Sequence, residues 1–176
     1  MRRVLERDLY EHDFFAWTRR QSKELRRFAR TRPNLPLDLV RIAEEIAHSG
    51  KEQRNAVRSW TIQIIEHLLL LDHSPADAPR RGWLREVMAF RDEIEDRLTP
   101  TLRRDLERQL PRLYGKARQR APFEVEPHER DLASGLPTDC PYTLGDILGE
   151  AAAEGARNRF ACRSESNSGR TKNDAL

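Results

Sequence analysis

Apolar residues recur at intervals of three or four in almost every window up to residue 120, and neither strand-like alternation nor an Asn-Gly hairpin signal interrupts them. Such spacing lines one face of successive helices and predicts an all-α fold. The expected form is a compact bundle of five to six helices, followed by a short extended C-terminal segment and a disordered tail. In the first segment Tyr10, Phe14, Trp17, Gln21, Leu25 and Phe28 share one face of a helix over about 9–30, and that face is expected to pack inward. Pro33 and Pro36 end this helix. Asp38 then caps a short second helix of about 38–48 carrying Leu39, Ile42, Ala43 and Ile46. Ser49 followed at the third position by Glu52 matches a capping box, and Gly50 tolerates a turn, so a break is expected between the second and third helices. The third helix runs to about Asp72. Eight of its twelve residues from Trp60 to Leu71 are apolar, which marks it as the central helix.

Pro75 and Pro79 place a loop before a fourth helix presenting Trp83, Leu84, Val87, Met88, Ile94 and Leu98. Thr99-Pro100 opens a fifth with the N-cap and first-turn proline pattern, carrying Leu102, Leu106, Leu110, Leu113 and Ala117; Pro111 is expected to kink or divide it. Prolines at 122, 127, 137 and 141 then favour extended chain, and Thr143 with Asp146 caps one last short helix. A single helical domain is expected over 1–148, with the end of that helix and a disordered tail in 149–176.

At 176 residues the chain has room for one such domain, and its 32 Lys+Arg against 29 Asp+Glu leave a net charge of +3. The low mean hydropathy of −0.81 therefore reflects balanced charge. Residues 101–120 hold seven basic side chains against Asp105 and Glu107, a local +5, so the basic character is expected to belong to that one helix pair. The longest apolar stretch is interrupted by Gln63, Glu66 and His67 and is far short of the roughly 20 residues that span a bilayer. Acidic Glu6, Asp8, Glu11 and Asp13 stand where a signal peptide needs an apolar run, and Cys140 and Cys162 have no partner at metal-ligand spacing. These features predict a reduced, cytoplasmic protein.

A set of local motifs resembles a known family. They are Leu9-Tyr10-Glu11-His12-Asp13-Phe14-Phe15-Ala16-Trp17 with Gln21, Ile42-Ala43-Glu44-Glu45-Ile46 before Ser49-Gly50, then Arg54 and Glu66-His67-Leu68-Leu69. Trp83, Arg91, Tyr114, Ala117-Arg118, Gly135-Leu136-Pro137 and Cys140-Pro141-Tyr142-Thr143 complete the series. In order and spacing they resemble domain of unknown function family 29, a bacterial helical family, over about residues 8–148. The resemblance implies a helical domain with no established activity, substrate or cofactor. His48 stands where that family more often has a small or acidic residue.

Several residues carry chemistry in principle. Glu45 and His48 have the Glu-x-x-His spacing of di-iron bundles, but a second copy is absent from the sequence. Arg41 and His48 resemble the arginine and histidine pair of helical ribonucleases, in which one stabilises phosphate charge and the other transfers protons. His67, inside the most apolar helix, needs a partner: either it is a structural histidine bonded to Asp13, Tyr10 or a carbonyl, or it centres a polar pocket with Asp13, Trp17 and Glu45. Tyr10, Asp13, Trp17, Glu44, Glu45, His67 and Arg91 are therefore the candidate polar centre, with no metal, cofactor or catalytic residue assigned. Arg103, Arg104, Arg108, Arg112 and Lys116 form a basic face suited to an acidic partner or nucleic acid, or simply to solvent. Cys140, Pro141 and Tyr142 are expected to dock the C-terminal segment. A non-enzymatic accessory module with a protein partner or self-association is favoured over a hydrolase or ribonuclease, and no membrane contact is expected.

Overall fold

The structure is a computed structural model that describes residues 8–31, 36–74, 79–123 and 135–150. Among these residues the chain is all-α, and no strand occurs. The predicted disordered tail lies outside the described residues. Two compact units divide the chain, Met1–Cys140 and Pro141–Leu176.

In the first unit a helical turn at 8–12 leads into α1, Phe14–Thr31. The expected continuous helix over 9–30 is interrupted at Asp13, whose side chain accepts from the Ala16 amide at 3.1 Å and so caps α1. Helix α2, Leu39–His73, is 35 residues long and central, with α1, α3 (Arg80–Glu95) and α4 (Pro100–Arg120) packed against it. Its core residues include Val57, Ile64, Ile65, Leu69 and Leu70, all fully buried. Trp83, Val87 and Ile94 from α3 and Leu102, Leu106 and Leu113 from α4 complete that core. No helix among the described residues is long and apolar enough to cross a membrane.

The expected break at Ser49-Gly50 does not exist, because α2 runs through both positions. Gly50 is buried, and a Cβ built there would lie 2.1 Å from Thr18 Oγ1. Its small size is used for helix contact, whereas the sequence had suggested a turn. Thr18 stands 13 residues before the end of α1 and Gly50 stands 11 after the start of α2, so the two helices form an antiparallel hairpin. The buried stripe of α1 is accordingly Phe15, Thr18 and Ser22. This displaces the aromatic face that was expected to pack inward. Tyr10 and Phe28 are each 47% exposed, while Phe14, Trp17, Gln21 and Leu25 are half-buried.

Pro111 does not divide α4, which continues to Arg120 and is followed by a 3-10 turn, Ala121–Phe123. Pro111 is exposed, on the side of the helix away from the core. Ile42, Leu84 and Met88, counted among the apolar faces, are also exposed. In the second unit Thr143 caps α5, Leu144–Leu148, through a capping box with Asp146. The Thr143 hydroxyl and amide both donate to that carboxylate, holding its pKa below the ordinary 3.8. Gly149 ends α5 with φ at 78°, a left-handed conformation that glycine adopts without a Cβ clash.

Candidate functional site

The residues of the expected polar centre have separate partners. Asp13 is 7% exposed and joins two helix N-termini: one oxygen accepts from Ala16 of α1, the other from the Thr101 amide of α4 at 3.0 Å. Burial alone would raise its pKa. Hydrogen bonds from the Thr101 hydroxyl, the Ala16 amide, the Thr99 hydroxyl and the Thr101 amide outweigh that effect and hold it below the ordinary 3.8. Tyr10 and Trp17 belong to an aromatic cluster, with ring centroids 4.8 Å apart edge to face, and Phe14 lies 5.7 Å from each. Glu44 and Glu45 are exposed and pair with Arg41 at 3.6 and 3.2 Å, an ordinary solvated helix face.

His67 bonds neither Asp13 nor Tyr10. Its Nε2 lies 2.6 Å from Glu86 Oε2 on α3, and its ring stacks parallel to Phe90 with centroids 6.2 Å apart. This contact fastens α3 to the central helix. Arg91 on α3 is half-buried, and desolvation lowers its pKa. His48 and Glu52 are exposed, 3.8 Å apart on one face of α2. Among the described residues, no three His, Cys, Asp or Glu side chains converge as a metal site would require.

Within the first unit, Leu136 and Pro137 are held by α4. Tyr114 donates to the Pro137 carbonyl at 2.5 Å, and the Arg118 guanidinium donates twice to the Leu136 carbonyl, at 3.4 and 3.2 Å. Leu136 is buried beneath these contacts. Burial raises the Tyr114 pKa, Arg118 opposes the shift, and Cys140 and Asp139 add to it. Cys140 is half-buried and in no disulfide. These contacts lie within the first unit, upstream of Cys140-Pro141-Tyr142, and hold Leu136 and Pro137 against Tyr114 and Arg118. Tyr114→Phe is expected to lower stability by about 1 kcal/mol through loss of that hydrogen bond. Urea unfolding measures it, and an unchanged midpoint would show that the bond contributes nothing net.

The basic residues of α4 are not equivalent. Arg103 pairs with Glu107 at 3.7 Å, Arg104 donates to the Pro100 carbonyl, and Arg108 pairs with Asp105 at 3.6 Å. Arg112 and Lys116 are exposed and have no hydrogen bond or ion pair among the described residues. Basic charge is not confined to this helix either: α1 carries Arg19, Arg20, Lys23, Arg26, Arg27 and Arg30 against Glu24 alone. Nine basic against five acidic residues give 1–31 a net charge of +4, which acidic excess elsewhere in the chain offsets.

Fold and site together define a helical domain organised on one long central helix, whose buried polar residues connect elements to one another. The chain belongs to the family described as Domain of unknown function DUF29, whose model matches residues 9–152. Among solved structures it is similar to an alpha-helical protein of unknown function from Rhodospirillum rubrum. The two are 28% identical, with a TM-score of 0.63 over 79% of this chain and 88% of that one. No curated protein matches the chain.

Proposed function

We propose that this protein is a small, non-enzymatic accessory module of the bacterial cytoplasm, forming one functional domain over 1–148 and binding a partner protein through the outer face of α1. The observation that carries this proposal is a surface groove of about 400 Å³ on α1, with Leu25 and Phe28 flanked by Gln21, Glu24, Arg27 and Thr31. Nearly half of Phe28 is exposed there; Arg27 at the groove pairs with Glu24 at 2.9 Å, and the helix as a whole carries six cations against that one acid. An apolar strip on a helix of net positive charge fits a segment that offers apolar side chains with acidic neighbours. Self-association through this face is disfavoured, because it would bring two strongly basic helices together.

A photo-crosslinking residue in place of Phe28 tests this in cells. The expected product is a heterologous protein crosslinked through an acidic segment, with the purified pair weakened at least fivefold by Phe28→Ala and by raised salt. A crosslink to a second copy of the chain, with a dimer in light scattering, would overturn the proposal in favour of self-association. A hydrolase or ribonuclease centred on His67 has less support, since its ring is held by Glu86 and Phe90.

A further inference from the structure

A second groove, independent of the α1 face, lies between α2 and α4 and has a volume of about 280 Å³. Arg58, Arg112, Lys116 and Arg120 line it together with the amides Asn55 and Gln109, and no acidic side chain is among the lining residues. We propose that this groove is a binding site for a small multiply phosphorylated ligand, held through its phosphoryl groups.

Two of the four cations face carboxylates, Arg58 through hydrogen bonds and Arg120 through a longer ion pair. Asp105 Oδ2 accepts from both Nε and Nη2 of Arg58, at 3.0 and 2.7 Å, leaving Nη1 without a partner among the described residues. Glu66, buried in the central helix, lies 3.5 Å from Arg120 Nη1. The Arg58 pair restrains its guanidinium before any ligand arrives, which reduces the ordering cost of binding. Arg112 and Lys116 supply the charge that no carboxylate offsets. Four residues apart on α4, they stand on one side of the helix about 6 Å apart along its axis. That separation suits neighbouring phosphoryl groups, and guanidinium forks with nearby amide donors match phosphate oxygens.

The groove favours a compact ligand over a nucleic-acid strand. No aromatic ring lines it, so a base has nothing to stack on, and strand binding without sequence preference relies on such platforms. The floor instead offers Ile62 and Leu113, a small apolar base beneath the charged rim.

Isothermal titration of the full chain with inorganic pyrophosphate at low salt tests the assignment. The expected result is saturable binding of one ligand per chain, weakened at least tenfold in the double variant Arg112→Gln, Lys116→Gln. Arg104→Gln, on the same helix outside the groove, should remain within twofold of the parent. All three positions are exposed, so the variants are expected to keep the parent's thermal melting midpoint, a control read on the same samples. Equal binding by the double variant would overturn the site. So would tighter binding of citrate than of pyrophosphate, or an absence of pyrophosphate binding alongside strongly salt-dependent binding of single-stranded RNA.

Discussion

Gly50→Ala is expected to destabilise the protein by about 1–3 kcal/mol, the usual range for overpacking a filled interior. Two effects oppose each other at this position. Alanine in a helix interior is favoured over glycine by up to about 1 kcal/mol, so an open position would gain stability from the change. Here the new Cβ would stand 2.1 Å from Thr18 Oγ1 and 3.0 Å from Thr18 Cβ. These atoms lie close to the α1 backbone, with no long side chain to swing away, and the Thr18 hydroxyl is itself bonded to the Phe15 carbonyl at 2.8 Å. Relief therefore requires the helices to move apart, and the steric term exceeds the propensity gain. Urea denaturation measures the loss, and Thr18→Ala in the same chain should restore about half of it by removing the nearest atom. Stabilisation by Gly50→Ala alone would show that the α1–α2 approach is looser than described.

Asp13→Ala should have a comparable effect, roughly 2 kcal/mol, because one carboxylate caps two helices and each cap contributes about 1 kcal/mol. Its negative charge also faces the positive ends of α1 and α4. The pH dependence has a defined sign. The folded pKa lies below the ordinary 3.8, so this contribution is fully present above 3.8 and is lost as pH falls through the lower folded value. The stability difference between the parent and Asp13→Asn should therefore be constant at neutral pH and shrink in acid below 3.8. A difference that grows in acid would falsify the role given to this carboxylate. Asp13→Asn should keep part of the stability, since its single carbonyl oxygen can still accept from one of the two helices.

Much of the fold was legible before any coordinates. Helical spacing, the Asp38, Thr99 and Thr143 caps and the apolar run of α2 all operate within a few residues, and the caps form as expected. Local signals failed where a residue serves a distant partner. Gly50 resembled a turn because glycine's missing Cβ serves both a turn and a close helix contact, and only the presence of Thr18 distinguishes them. Asp13 stands 88 positions from the Thr101 amide it accepts from, and nothing in its own neighbourhood announces a second helix end. His67 was recognised as a buried histidine in need of a partner. The partner, Glu86, was one of many carboxylates available to it.

The basic residues show the same division. Periodicity along α4 grouped Arg103, Arg104, Arg108, Arg112 and Lys116, yet it gave them equal standing. Packing against α2 brings Arg58 to Asp105, which also pairs with Arg108 of its own helix, while Arg112 and Lys116 have no partner among the described residues. By itself the sequence determined the helical class, the capped ends at Asp38, Thr99 and Thr143 and the central apolar helix, because backbone hydrogen bonding and amphipathic spacing are local. Tertiary structure alone decided which face of α1 turns inward, where Asp13 and His67 find partners, and which cations remain available to a ligand. Those outcomes depend on how closely two helices approach and which side chains then meet, and that distance is set by residues far apart in the chain.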